Sequence, residues 1–415
     1  MDPQEVLFQA FKDGVAATQP APAVRRHLPT PPVGRTVVVG AGKGAVPMAL
    51  AVDEAWHAPL SGVVITPYGA TGERLPERIR VLEAAHPVPD TAGVAATREV
   101  LQAVQDLTTD DLVICLISGG GSALLSYPLG VTLEEKAALM SQFLKCGASI
   151  HEINTVRKHL SGIKGGQLAV AAAPARMVTL IVSDVTGDDL STIASGPTVP
   201  DPTTFSDALT IIERYDIHSP AARSHLEHGM RGMIDETPKP DSPVFNRVEN
   251  RLIATNRHTL DTAVRSLRTN GIEAQVTSDR IEGESRQVAL EHAQEARELP
   301  HRRALLSGGE TTVVVTGKGR GGPNLEYLLA LAIALDGEPG IYALAADTDG
   351  IDGTGDAAGA VIAPDTLERA ASLGLDPQAA LADNDAYTLF ASLDDLIVTG
   401  PTGTNVNDIR IILRV

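Results

Sequence analysis

The chain has 415 residues, with 52 acids against 34 bases and few aromatics (six Phe, six Tyr, one Trp); at this size a single core is exceeded, so two domains are expected. A hydrophobic content of 43% with 21% charged residues excludes global disorder. The net charge of −18 excludes nucleic acid or an anionic membrane as the main partner, since either demands a basic face, but leaves room for a small anionic substrate.

The N-terminus, MDPQEVLFQAFKDGV, has neither a basic leader nor a long apolar run, so no signal peptide is expected. No stretch approaches about 20 consecutive apolar residues, so no membrane span is expected. Cys115 and Cys146 form no CxxC or metal-ligand pattern, which suits a reduced, cytoplasmic setting.

Short apolar runs alternate with helical patterns, the signature of a parallel α/β layer fold. Thr36–Val39 predicts a strand, followed by a glycine-rich turn and a helix from about Val46 to Trp56. Val63–Thr66 predicts a second strand and Thr91–Asp106 an amphipathic helix. Leu112–Ile117 is continuously apolar and therefore expected at the centre of a sheet, covered on both faces. Val178–Val182 is similar. The proline-rich run ETPKPDSP (236–243) predicts a change of domain near 240, giving 1–240 and 241–415. The rhythm restarts with Leu252–Ala254, a helix from Asn256, and Glu273–Thr277. A helix over Glu284–Glu298 and strands at Ala304–Leu306 and Thr311–Val315 come next. A helix at Asn324–Leu335 and strands at Ile341–Ala345, Leu396–Val398 and Ile409–Val415 complete the pattern.

In open α/β sheets, ligands collect at the carboxyl ends of strands, and five such ends carry chemistry. Gly40-Ala-Gly-Lys-Gly-Ala45 fits G-x-G-x-x-A between a strand and a helix. The acid expected at the end of the second strand is missing, since Thr66, Pro67 and Tyr68 stand there. Lys43 then reads as an ammonium beside a helix N-terminus facing an anion, or as a solvated lysine in a tight turn. Ser118-Gly-Gly-Gly-Ser122 allows close backbone approach to a ligand; a flexible loop is the plainer alternative. Ser183-Asp184-Val-Thr-Gly-Asp188-Asp189 offers three carboxylates within six residues, suited to Mg²⁺ or to Asx turns and a helix cap. Ser307-Gly-Gly-Glu310 precedes Gly317-Lys-Gly-Arg-Gly-Gly-Pro-Asn324, where Lys318 and Arg320 read as a phosphate clamp or as solvated bases. Asp347-Thr-Asp349-Gly-Ile-Asp352 opens an acidic loop that lacks the Glu of an EF-hand. His86, Asn154 and Arg157 could reach a carboxylate, and the Gly403–Asp408 loop is equally ambiguous.

Taken together, VVVGAGKGA, HPVPD, LISGGGSALL, INTVRKHLSGIKGGQLA, SDVTGDDLSTIASGPT, SGGETTV, ADTDGIDGTGDAAGA and TGTNVNDI resemble, in order and over nearly the whole chain, the bacterial glycerate 2-kinase family. This is the class with a C-terminal MOFRL domain, here about 300–412. The resemblance implies a larger Rossmann-like N-terminal domain, a smaller α/β C-terminal domain and an active-site cleft between them. It further implies ATP- and Mg²⁺-dependent phosphorylation of D-glycerate, or a similar hydroxy acid, to 2-phosphoglycerate. The family's catalytic lysine falls on Lys43. Its G-G-R-N-Q-E run reads Gly321-Gly322-Pro323-Asn324-Leu325-Glu326, and Arg320 is the candidate replacement for the arginine. Asp184 joins Lys43 and Arg320 as a catalytic candidate and, with Asp188, as a metal ligand. Gly42, Gly44, Ser118, Gly119, Gly120, Gly121, Ser122, Lys318 and Asn324 are the phosphate or nucleotide set. Asn154, Arg157, Ser307, Glu310, Asp347 and Asp349 are the substrate set. An NAD(P)H-dependent hydroxypyruvate reductase is the competing activity, a name some members of the family carry. A homodimer is compatible with this reading.

Overall fold

The computed structural model describes residues 2–415, which divide into two compact units. One comprises Pro20–Ser183 and Asp188–Ile253; the other comprises 2–19, Asp184–Gly187 and Ala254–Val415.

The first unit is built on a six-stranded sheet of β1 (Thr36–Ala41), β2 (Leu60–Pro67), β3 (Ile79–Ala84), β4 (Leu112–Ile117), β5 (Arg176–Val182) and β6 (Val248–Ala254). Its order is β3-β2-β1-β4-β5-β6, and the pairings among β1 to β5 are parallel. This is the doubly wound dinucleotide-fold order, with its topological switch point between β1 and β4. The all-apolar runs of β1 and β4 follow from that position, because every residue of both strands is buried. One departure is that β2 reaches β3 through the loop 68–78 without a helix. The helices Leu133–Cys146, Ile150–His159, Phe205–Arg214 and Pro220–Met230 form a separate layer. They pack around Leu139, Phe143, Val156, Phe205 and Ile212.

The second unit holds β7 (Glu273–Ile281), β8 (Arg303–Gly309), β9 (Ile341–Asp347), β10 (Gly359–Ile362), β11 (Leu396–Ile397) and β12 (Asp408–Arg414), in the order β11-β10-β9-β12-β8-β7. Here the expectation of a parallel layer does not extend: only β7–β8 is parallel, and the other four pairings are antiparallel. Both faces are covered. Helices Ser285–Glu298 and Pro323–Leu335 pack on one. Asn256–Thr269 and the N-terminal helix Pro3–Ala17 pack on the other.

Two sequence expectations change. The proline-rich run does not end the first sheet, because the chain continues from it into β6, which pairs with β5. Thr311–Val315 is not a strand. Val314 and Val315 are exposed, Thr312 makes an isolated bridge to Glu284, and the Thr316 and Gly317 amides bond the Asn384 side chain instead of a neighbouring strand. Among the described residues, no helix is long and apolar enough to cross a membrane.

Candidate functional site

In the first unit, the loops after β1 and β4 meet at the switch point. The register pairs Ala41 with Ile117, so both loops leave the sheet at the same level. The Lys43 amide donates to the Gly119 carbonyl (2.8 Å), and the Gly44 amide donates to Ser118 Oγ (2.9 Å). Gly42 has φ +144°, and a Cβ there would stand 2.1 Å from Ser118 Oγ. The two loops are thus locked together by a contact that excludes any side chain at 42. Gly120 (φ +81°) leaves room for the His86 imidazole, which a Cβ would meet at 2.9 Å. Burial and the nearby Lys43 charge hold the His86 pKa below its ordinary value, so His86 is neutral at pH 7. The Lys43 side chain itself is exposed. The helix Ala45–Ala55 starts directly behind this rim without a side-chain cap at Gly44. The arrangement presents an ammonium, backbone amides and a helix N-terminus together, a combination that favours an anion.

A polar chain continues from this rim. Ser122 Oγ and Ser195 Oγ are 2.8 Å apart, Ser195 Oγ donates to Asn154 Oδ1 (3.1 Å), and Arg157 Nη1 donates to the same oxygen (2.8 Å). Lys164 Nζ donates to the Ser122 carbonyl at 2.8 Å. Ser122, nominated for phosphate, and Asn154 and Arg157, nominated for substrate, thus share one network, to which Ser195 and Lys164, in neither set, also belong. The run IKGG carried the signal for Lys164, a lysine followed by two glycines with positive φ.

In the second unit, the 311–322 loop is anchored by Asp383, Asn384 and Asp385. Their side chains accept from the amides of Lys318 (3.0 Å), Gly317 (2.9 Å) and Arg320 (3.0 Å). Lys318 and Arg320 are exposed. The Arg320 guanidinium lies 4.2 Å from the Tyr387 ring centroid, whose hydroxyl donates to Asp356. Asn324 is placed differently from its expected phosphate role. Its amide and that of Leu325 donate to the Asp352 carboxyl group (3.0 and 2.9 Å), so the N-terminus of Pro323–Leu335 is already occupied by a side chain. Asn324 Nδ2 donates to Asp408 Oδ1 at 2.8 Å. Glu326, buried on the same helix, takes Arg286 and Asn384.

Asp347 pairs with Asp408 across β9 and β12. Burial, followed by the charges of Asp408 and Asp349, pushes the Asp347 carboxyl well above the ordinary range, so it is protonated at neutral pH. Asp349 accepts from the Ile351 amide (2.9 Å) and from Asn405 Nδ2 (3.3 Å). Ser307 is buried on β8, and Glu310 is exposed just beyond it.

Asp188 has φ +57°, and the neighbouring Asp189 closes an Asx turn on Ser191 and Thr192. The turn alternative is therefore realised at 189. No group of three or more His, Cys, Asp or Glu among the described residues could hold a metal. A Mg²⁺ ion needs no such cage, since one or two carboxylates with waters and substrate phosphates suffice.

Residues 6–227 match the model of a domain described only as of unknown function, DUF4147, and residues 303–408 match the MOFRL family. The chain is 40% identical to the D-glycerate 2-kinase of Thermotoga maritima, over 98% of this chain and 97% of that one. The crystal structure of a T. maritima glycerate kinase superposes with a TM-score of 0.92, covering 99% of both chains at 40% identity. The chain belongs to the glycerate 2-kinase (MOFRL) family. An Agrobacterium vitis member, 50% identical over 99% of this chain and 94% of its own length, is provisionally named a hydroxypyruvate reductase. Membership accounts for the pairing of a dinucleotide-fold sheet with a largely antiparallel MOFRL sheet in this family member.

Proposed function

We propose that the protein is a glycerate kinase that transfers the γ-phosphoryl group of ATP to the 2-hydroxyl of D-glycerate, giving 2-phosphoglycerate. The observation that supports this most directly is the locked rim of Gly42–Gly44 and Ser118–Gly121 around the exposed Lys43 ammonium. Phosphoryl transfer depends mainly on positioning and on stabilising charge over the phosphate oxygens. Lys43 and the Gly119–Gly121 amides serve that role. Asp184 and Asp188 would hold Mg²⁺, which would supply positive charge to the transferring phosphoryl group. Asn154 and Arg157 take the glycerate carboxylate, while Arg320 and Lys318 contribute further positive charge. The 2-hydroxyl oxygen bonds to the γ-phosphorus as the bond to the β–γ bridging oxygen breaks. The hydroxyl proton goes to Asp349, because the neighbouring Asp347, its pKa pushed up first by burial, already carries a proton at neutral pH.

The test follows ADP release with D-glycerate, ATP and Mg²⁺, and resolves the product by phosphorus NMR. In parallel, NAD(P)H absorbance is followed with hydroxypyruvate. ADP formation with 2-phosphoglycerate is expected; oxidation of NAD(P)H without ADP release would establish the reductase instead. Lys43→Ala, folded normally, is expected to lower kcat by about 10³-fold or more. Near wild-type kcat would remove Lys43 from the reaction.

A further inference from the structure

The first unit buries Lys136 and Lys164 and partly buries Arg157, cations that a core ordinarily lacks. Lys136, on the helix Leu133–Cys146, is 4% exposed, and its Nζ has no hydrogen-bond partner. Lys164 is fully buried, and its Nζ donates to the Ser122 carbonyl. Arg157, on Ile150–His159, retains partial exposure. It bonds Asn154 Oδ1 and lies 3.7 Å from Met140 Sδ, one turn beyond Lys136 on the same helix. Asn154 is 3% exposed, and its Nδ2 also lacks a partner.

Burying one unpaired ammonium is costly, and gathering three cations compounds the cost. Burial and the Arg157 charge bring Lys136 down to about 8. Burial, then Lys136 and Arg157, hold Lys164 well below its ordinary value. Such a cluster persists when something else requires it, and two unsatisfied donors, Lys136 Nζ and Asn154 Nδ2, specify what is missing. The required group is small, anionic and rich in acceptor oxygens.

We propose that Lys136 and Lys164, with Arg157 and Asn154, form a buried oxyanion site that takes the carboxylate of the hydroxy-acid substrate. The carboxylate offers about four lone-pair positions, enough for both lysines, the guanidinium and the amide. This extends the glycerate kinase reading, on which it rests, by adding two lysines to the residues that recognise the acid. It also predicts selectivity: glycerol, which shares the hydroxyls but lacks the charge, is excluded.

The experiment compares the full-length protein with Lys136→Met and Lys164→Met. Kinetics are measured with D-glycerate and with ATP, and melting temperature is measured alone and with D-glycerate, glycerol or inorganic phosphate. In each variant the KM for D-glycerate is expected to rise at least about tenfold, with the KM for ATP changed by less than about twofold. The melting temperature of the free variant is expected to stay level or rise, because an unpaired buried charge has been replaced by an apolar chain of similar length. The upward shift given by D-glycerate, absent with glycerol, is expected to disappear. An unchanged KM for D-glycerate in a folded variant overturns the site. A rise confined to ATP overturns the carboxylate assignment and gives the site to a nucleotide phosphate, as does protection by phosphate without protection by D-glycerate. If Lys164→Met does not fold, Lys136→Met decides. If the wild-type protein transfers no phosphoryl group, the kinase reading fails by itself, and the melting shift with D-glycerate still tests the site.

Discussion

Asp347 and Asp349 stand two residues apart at the end of one strand, and the Asp349 amide donates to Asp347 Oδ1 at 2.8 Å. Asp347 is buried beside Asp408, which is itself held above the ordinary range by burial and pairs with Arg410 at 2.6 Å. Asparagine has nearly the shape of a protonated carboxyl, so Asp347→Asn is expected to keep kcat within a few-fold. Asp349→Asn removes a charged acceptor and is expected to lower kcat by about 10² or more. Equal losses in both would remove the distinction. The same contrast predicts a pH effect on stability. An acid whose folded pKa is raised stabilises the fold fully below its unfolded value, near 4, and that contribution is lost as pH rises through the folded value. Asp352, pushed up to about 7 mainly by burial, acts in the same direction. Wild-type melting temperature should therefore decline from mildly acidic toward alkaline pH through these groups. Asp347→Asn should flatten that decline, and an unaltered slope would refute the account.

At the scale of the element, the helix Ile150–His159 shows how a local device supports a site. Its start is a capping box: Ser149 Oγ accepts from the Glu152 amide, and Glu152 accepts from the Ser149 amide and hydroxyl. Ser149→Ala should cost about 1 kcal/mol in urea unfolding while leaving the KM for D-glycerate unchanged. Asn154 and Arg157 lie beyond the first turn and are held by Ser195 and Met140 as well. A large rise in KM would mean that the cap, and not tertiary contacts, sets their position. The sequence was legible where a signal is local. Strand–glycine–helix at 36–55 and the apolar run 112–117 announce themselves through burial and backbone freedom. What it hid depends on distant partners. Val313–Val315 has strand composition, yet its loop is tied to Asn384, some 70 positions away. Lys136 looks like a solvated position in LEEKAAL, yet the fold leaves it only 4% exposed. The antiparallel pairing of β12 between β8 and β9 likewise leaves no mark on the residues that make it.

At the scale of the molecule, each unit has a core of its own, but the chain does not supply them in order. The helix Pro3–Ala17 opens the sequence and packs on the second sheet, where Leu7 and Phe11 are buried among Leu260, Leu267, Ile409 and Ile411. A division of the chain near 240 would therefore strip the second unit of part of one face while leaving its sheet strands intact. Phe11→Ala removes a fully enclosed ring and should destabilise that unit by roughly 3–5 kcal/mol, the usual cost of such a truncation. Because the first sheet and its parallel pairings involve no residue of this helix, the loss should be local in hydrogen exchange. Protection should fall across 254–415 and persist in β1, β4 and β5. A fragment beginning at 254 should be unstable alone and should gain stability when a peptide of residues 2–19 is added. If the fragment is as protected alone as in the whole chain, the N-terminal helix is dispensable to the second core.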